Sequence, residues 1–163
     1  MRHPVLFGEF ELNIDEKNRL LVPSDVRRAV NPEEYGDAFF LVVGINKLPW
    51  LYPELYYKQL VTQDPTEITP AQDRLAFDQM YFARACRIEM DKQGRILLPS
   101  RTLERAKIQK EVTLIGVRDH LELWNRADWE ARREELEQRG PDIFMAAKGN
   151  KTQSENSQSE KSA

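Results

Sequence analysis

Apolar and polar positions alternate along this chain in short runs, and the same runs come round twice. Leu12-Asn13-Ile14 and Ile88-Glu89-Met90 each place apolar side chains on one face of an extended segment, the pattern of a half-buried strand. Four turn-forming residues follow each, Asp15-Glu16-Lys17-Asn18 and Asp91-Lys92-Gln93-Gly94. Asn18 and Gly94 fill the same slot, and these two residue types tolerate positive φ best. The aspartate at the head of each turn has a carboxylate able to accept backbone N–H groups across it. The apolar triplets Leu20-Leu21-Val22 and Ile96-Leu97-Leu98 then predict buried return strands. Pro23 and Pro99 end both ladders, because proline has no N–H to give. Ser24 and Ser100 are placed as N-caps of a short helix.

The two stretches align at a constant offset of 76 residues (91 − 15). Farther on the match resumes at 72 (116 − 44), where Val42-Val43-Gly44 meets Leu114-Ile115-Gly116, Tyr52 meets Trp124 and Tyr57 meets Trp129. Strands over Phe39–Val43 and Val112–Ile115, each with a partner leading to Tyr52 or Trp124, complete a unit of hairpin, short helix and hairpin, present twice. The recurring aromatics read as core or subunit-interface anchors. Between the copies, Thr69-Pro70-Ala71-Gln72 predicts a helix start with Thr as cap and Pro at the first helical position. The run through Leu75, Phe77, Met80, Tyr81 and Ala85 is apolar enough to bury one face of that helix. A charged helix is expected from about Asp128 to Arg139, stopped by Gly140-Pro141. From about Ala147 to Ala163 there is no large apolar residue, so disorder is expected.

Composition narrows the function classes. Of 163 residues 40% are hydrophobic and 31% charged, which is globular. The longest apolar stretch, Phe39 to Ile45, falls far short of a membrane span, and the N-terminus lacks the apolar segment of a signal peptide. The single cysteine, Cys86, rules out a disulfide framework. It is placed near the end of the apolar helix as a small core hydrophobe. His3 and His120 have no spacing suited to a metal site. No Gly-rich phosphate loop and no nucleophile–base pair is present, so neither an enzyme nor a cofactor or small-molecule substrate is expected. The net charge of −3 does not advertise a nucleic-acid binder, yet phosphate neutralisation depends only on the contact surface.

The paired Asp-x-x-x-Arg turns, Asp15…Arg19 and Asp91…Arg95, each followed by three apolar residues and Pro, resemble the signature of the MraZ family. The resemblance covers about residues 6 to 140, including Gly8-Glu9 and the Gly116…Trp124…Trp129 ending. It implies an AbrB-like swapped-hairpin fold of class α+β: a pseudo-two-fold β-barrel of two hairpin repeats with flanking helices. The expected organisation is a first repeat over 6–60, linking helices over 61–86, a second repeat over 87–140 and a tail over 147–163. It further implies a transcriptional regulator, cytoplasmic and nucleoid-associated. Such a regulator assembles as a ring homo-oligomer and binds direct repeats in double-stranded promoter DNA of the division and cell-wall gene cluster. Asn18 departs from the Gly usual in the first family turn.

The expected contacts are the two hairpin tips, Lys17 and Arg19 on one and Lys92 and Arg95 on the other; Arg27 and Arg28 either extend the phosphate track or form an ordinary solvated helix face. Arg can grip guanine bidentately or clamp a phosphate, and Lys serves as a point charge. The resemblance puts Lys17 and Arg19 in the lead. Asp15, Asn18, Asp91 and Gly94 are expected to be turn-structural. Asp15–Arg19 and Asp91–Arg95 read equally well as ion pairs bracing a turn, and a braced Arg is also pre-organised for docking. The other function class left open is an oligomeric protein-interaction scaffold that uses no DNA.

Overall fold

The computed structural model describes residues 2–68 and 70–149. It divides into two compact units, Met1–Arg126 and Ala127–Ala163. In the first unit, β1 (Glu9–Asn13) and β2 (Arg19–Leu21) precede the short helices α1 (Ser24–Ala29) and α2 (Pro32–Tyr35). β3 (Ala38–Val43) and β4 (Pro49–Pro53) lead into α3 (Glu54–Gln63) and α4 (Gln72–Phe82). The second copy runs β5 (Cys86–Glu89), β6 (Arg95–Leu97), α5 (Ser100–Ala106), β7 (Glu111–Gly116) and β8 (Leu121–Asn125), and α6 (Arg126–Gln138) follows.

The copies exchange their first strands. β1 does not pair with β2; it runs antiparallel to β7, Leu12 opposite Val112. Reciprocally, β5 runs antiparallel to β3, Ile88 opposite Phe39. β2 and β6 pair with each other, Leu20 opposite Ile96, and β4 meets β8 with Trp50 opposite Glu122. These last partners are 76 (96 − 20) and 72 (122 − 50) residues apart, the same offsets that relate the copies. The pairing pattern therefore has an internal two-fold passing between them. The registers also put Phe39 level with Val112, an offset of 73 (112 − 39), so Gly116 answers Val43 rather than Gly44. Three residues of the length difference precede β3, and one lies in the β3–β4 turn.

No closed barrel forms among the described residues. The six strands of the main sheet run β1-β7-β8-β4-β3-β5, open at β1 and β5, and β2–β6 is a separate two-stranded ribbon. The return strands are only three residues long before Pro23 and Pro99 stop them. They satisfy each other across the two-fold instead of closing the sheet. Val22 N–H donates to Gly94 O at 2.8 Å and Leu98 N–H to Asn18 O at 2.8 Å, so each turn is tied to the other copy's strand end.

One core serves both copies: Leu20, Val22, Leu41, Leu51, Ile96, Leu98, Val112, Leu114, Leu121 and Leu123 are all fully buried in it. The apolar triplets, expected to form buried strands, are not buried throughout: they alternate, and Leu21 and Leu97 face outward. Val42, Tyr52 and Tyr57 form a second cluster with Tyr81 packed against it. Trp50 stacks on the buried His120 ring at 4.1 Å between centroids, and His120 bonds Asp119 (2.8 Å) and Glu122 (3.1 Å).

Several local expectations are corrected. Ser24 and Ser100 are first helical residues behind N-cap positions at Pro23 and Pro99, and neither cap makes a side-chain bond. The chain enters both helices from the extended prolines, which leaves the serines one residue too late to cap. α4 starts at Gln72 behind Ala71, with Pro70 outside it; Thr69 lies outside the described residues. That helix buries none of its residues, and Leu75, Phe77, Met80 and Phe82 are exposed. Cys86 opens β5 opposite Leu41 rather than closing a helix. Residues 140–149 are helical again, because Pro141 falls in a first helical turn, where its missing N–H costs nothing. Ala147, Lys148 and Gly149 thus belong to a helix, and the rest of the expected tail lies outside the described residues.

Candidate nucleic-acid interface

Each turn is organised by one carboxylate. Asp15 Oδ1 accepts the backbone N–H groups of Lys17 and Arg19, both at 2.9 Å, and Oδ2 accepts Arg19 Nε at 2.7 Å. The backbone closes with Asp15 N–H donating to Arg19 O and Asn18 N–H to Asp15 O, both at 3.0 Å. The second turn repeats this atom for atom. Asp91 Oδ1 accepts Gln93 and Arg95 N–H at 2.9 Å, and Oδ2 accepts Arg95 Nε at 2.9 Å. The backbone N–H of Arg19, despite some desolvation, leads in holding the Asp15 carboxyl below 3.8, and that of Arg95 does the same for Asp91. Both carboxylates are charged at neutral pH and ready to hold the guanidinium.

This arrangement engages only Nε of each arginine. Nη1 and Nη2 of Arg19 and Arg95 have no hydrogen-bond partner among the described residues. The side chains are 31% and 29% exposed, neither sealed nor waving in solvent. An arginine fixed by Nε presents its terminal N–H pair in a set direction, suited to two adjacent acceptors such as guanine O6 and N7 or two phosphate oxygens. The bracing role and the contact role are thus compatible in one side chain. Lys17 and Lys92 are exposed on the turns, with no side-chain partner among the described residues.

Positive φ sits where the residue types imply, +59° at Asn18 and +78° at Gly94. At Gly94 a tertiary contact adds to the preference that positive φ already gives to glycine. A Cβ there would lie 3.0 Å from Arg27 Nη1 and 3.1 Å from its Cδ and Cζ. Arg27 crosses over Gly94 while its Nε donates to Val22 O at 3.1 Å. Asn18 has room to donate to Ser100 Oγ at 3.3 Å. Arg27 therefore adds its charge to the second turn, not to the first turn that it follows in sequence. Arg28, paired with Asp25 on the same helix, is highly exposed. Sequence reasoning missed this crossing, whose one signal was that the glycine stands in the second turn. It also missed the outward leucines, which the half-buried return strand could have suggested.

Among the described residues no three His, Cys, Asp or Glu side chains converge on a metal-sized site, and no helix is long and apolar enough to cross a membrane.

A family model described as "MraZ protein, putative antitoxin-like" matches residues 5–78 and 81–142. The chain is 35% identical over 126 residues to a protein named Transcriptional regulator MraZ from Desulforamulus reducens, covering 77% of this chain and 85% of that one. It is 36% identical, with the same coverage of both chains, to the protein of that name from Caldanaerobacter subterraneus subsp. tengcongensis. The Clostridium tetani protein of that name is 33% identical, again over 77% and 85%.

Proposed function

The chain belongs to the MraZ family, and from that premise we propose that it is a sequence-specific DNA-binding transcriptional regulator of its own division and cell-wall operon, working in the cytoplasm at the nucleoid. The observation that carries this reading is the pair of matching turns, in which Asp15 and Asp91 hold the Nε atoms of Arg19 and Arg95 and leave their terminal N–H pairs open. A two-stranded antiparallel ribbon such as β2–β6 is of a size to enter the major groove. Arg19 and Arg95 are assigned to base edges or phosphates, and Lys17, Lys92, Arg27 and Arg28 to phosphates. Family resemblance puts the first turn in the lead; the place of Arg27 over Gly94 argues that the second shares the contact.

Two turns supply few cationic contacts, so one protomer binds weakly and loses affinity steeply with salt. A ring of protomers that meets direct repeats at successive turns of DNA raises affinity through effective concentration. The chain offers a surface suited to assembly, an apolar groove of about 520 Å³ lined by residues including Val43, Ile45, Trp50, Phe77 and Met80. The test is a shift assay on the region upstream of the chain's own gene, with one, two and three repeats. Affinity is expected to climb with repeat number, and Arg19→Ala is expected to weaken specific binding about 10- to 100-fold with the mass of the assembly unchanged. Normal promoter binding by that variant would refute the assignment of the turn.

The same apolar groove favours a second reading, a protein-interaction scaffold without DNA. The absorbance ratio at 260 and 280 nm separates the two. A regulator carries nucleic acid that high salt strips away; a scaffold carries none.

A further inference from the structure

The geometry points to Leu21 and Leu97 as the groups that recognise the C5-methyl of thymine beside the base edges or phosphates gripped by Arg19 and Arg95. This inference rests on the DNA-binding reading above. In β2 and β6 the central residues, Leu20 and Ile96, point inward and are wholly buried. Their neighbours must therefore point outward together, because side chains alternate faces along a strand. Arg19 stands directly across from Leu97, and Leu21 directly across from Arg95. Directly opposed residues in an antiparallel pair have Cβ atoms about 5 Å apart. The outer face of the ribbon is thus a four-cornered patch, with arginines on one diagonal and leucines on the other.

The two leucines are 49% and 60% exposed, against 0% for Leu20 and Ile96 one residue away. Their place in the pleat gives no structural reason for an apolar side chain, since any residue would satisfy the backbone pairing there. A protein partner laid over them would also have to desolvate two guanidiniums and two carboxylates alongside, which is unfavourable unless every one is matched. DNA meets both demands at once. Its acceptors satisfy the open Nη groups, and the one apolar group on a major-groove base edge is the thymine methyl. The nearby exposed Lys17 and Lys92, with Arg27, give the patch the charge a phosphate-lined groove requires. Two residue steps along a strand span about 7 Å, roughly two base-pair steps at 3.4 Å each. Each arginine–leucine pair therefore addresses one or two adjacent base pairs, and specificity is expected for thymine next to the gripped base.

The experiment uses the full chain and duplexes that it enriches from a random 30-bp pool. In the enriched duplex each thymine is replaced by deoxyuridine, which keeps its pairing and loses only the methyl. The wild type is expected to lose about fourfold in affinity for each contacted methyl. The L21A/L97A variant is expected to bind the thymine duplex as weakly as the wild type binds the deoxyuridine duplex, and not to distinguish the two. Assembly mass, read by light scattering, is expected to be unchanged. Equal wild-type affinity for both duplexes overturns the inference and leaves the regulator reading standing. A changed assembly mass in L21A/L97A also overturns it, by assigning the leucines to a subunit contact. Failure to enrich any duplex sinks the regulator reading itself.

Discussion

In the first turn Asn18 holds φ at +59° and donates its side-chain amide to Ser100, whereas in the second Gly94 sits at +78° beneath the Arg27 side chain. The bonds from Asp15 to Arg19 and from Asp91 to Arg95 are nevertheless the same, donor for donor. The two copies therefore keep the chemistry of the fork and vary what surrounds it. At the offset of 76, Arg27 and Arg28 answer Leu103 and Glu104. Because the ribbon ties each turn to the other copy, Arg27 reaches the second turn, while Leu103 and Glu104 line the groove beside Asn18 in the first. The first turn keeps Lys17 and Arg19, with Lys107 lining the same groove and Glu16 3.7 Å from Lys110.

The largest expected effect tests whether the forks are equivalent. Arg19→Ala and Arg95→Ala, measured separately by fluorescence anisotropy on promoter DNA, should each weaken specific binding by about 10- to 100-fold. A loss confined to Arg19→Ala would restore the first turn to the lead and reduce Arg95 to a brace.

Next comes the helix that follows each copy's last strand. Glu54 opens α3 and binds Arg87 of the other copy through Nε (2.7 Å) and Nη2 (3.1 Å), with Lys58 at 3.0 Å. Its equivalent at the offset of 72 is Arg126, which reaches across to Leu12 O at 2.8 Å. Opposite charges thus do the same fastening. Bonds from Arg87 and Lys58 hold the Glu54 carboxyl down to about 2. This stability is present above about 4.5 and is lost as pH falls toward 2. Glu54→Gln should cost about 2 kcal/mol in urea unfolding at pH 7 and flatten the acid limb. An unchanged acid limb would show that the bonds to Arg87 and Lys58 contribute no acid-sensitive stability.

The turn residues themselves give a smaller effect of unequal size. Gly94→Ala adds a Cβ at positive φ against Arg27 and should cost about 1–2 kcal/mol. Asn18→Gly removes one bond to Ser100 and should stay within about 0.5 kcal/mol of the parent in thermal melts. Equal costs would contradict the role given to Arg27.

The smallest effect concerns a residue without a counterpart, since His120 answers Leu48 in the first copy. Burial opposes its charge, but bonds to Glu122 and Asp119 outweigh burial and raise it above 6.5. Its contribution is complete below about 6.5 and fades as pH rises through the raised value. His120→Gln should remove that slope on the neutral-to-alkaline side in pH-dependent melts, and a slope that survives would place its origin elsewhere.

Much of this was legible in the chain. Leu12, Ile14, Ile88 and Met90 announced strands by alternation, Asp15 and Asp91 announced their turns, and the offset of 76 announced two copies. The forks at Arg19 and Arg95 followed from the same motif. Other features were not legible, because they depend on what packs against what. Leu21 reads as core beside Leu20 and Val22 until the pleat turns it outward, and the apolar run of α4 reads as buried although no residue of it is.

By itself, the sequence determined the local chemistry: strand periods, turns with their positive φ and prolines that end the ladders. These are decided by each residue's own sterics and its near neighbours. Only the tertiary structure decided that β1 and β5 change places, that the sheet stays open and that Arg27 lies over the far turn. Those outcomes depend on pairing between segments from 49 (88 − 39) to 100 (112 − 12) residues apart, which local preference does not encode. They follow from the burial of one shared core between two halves of similar shape.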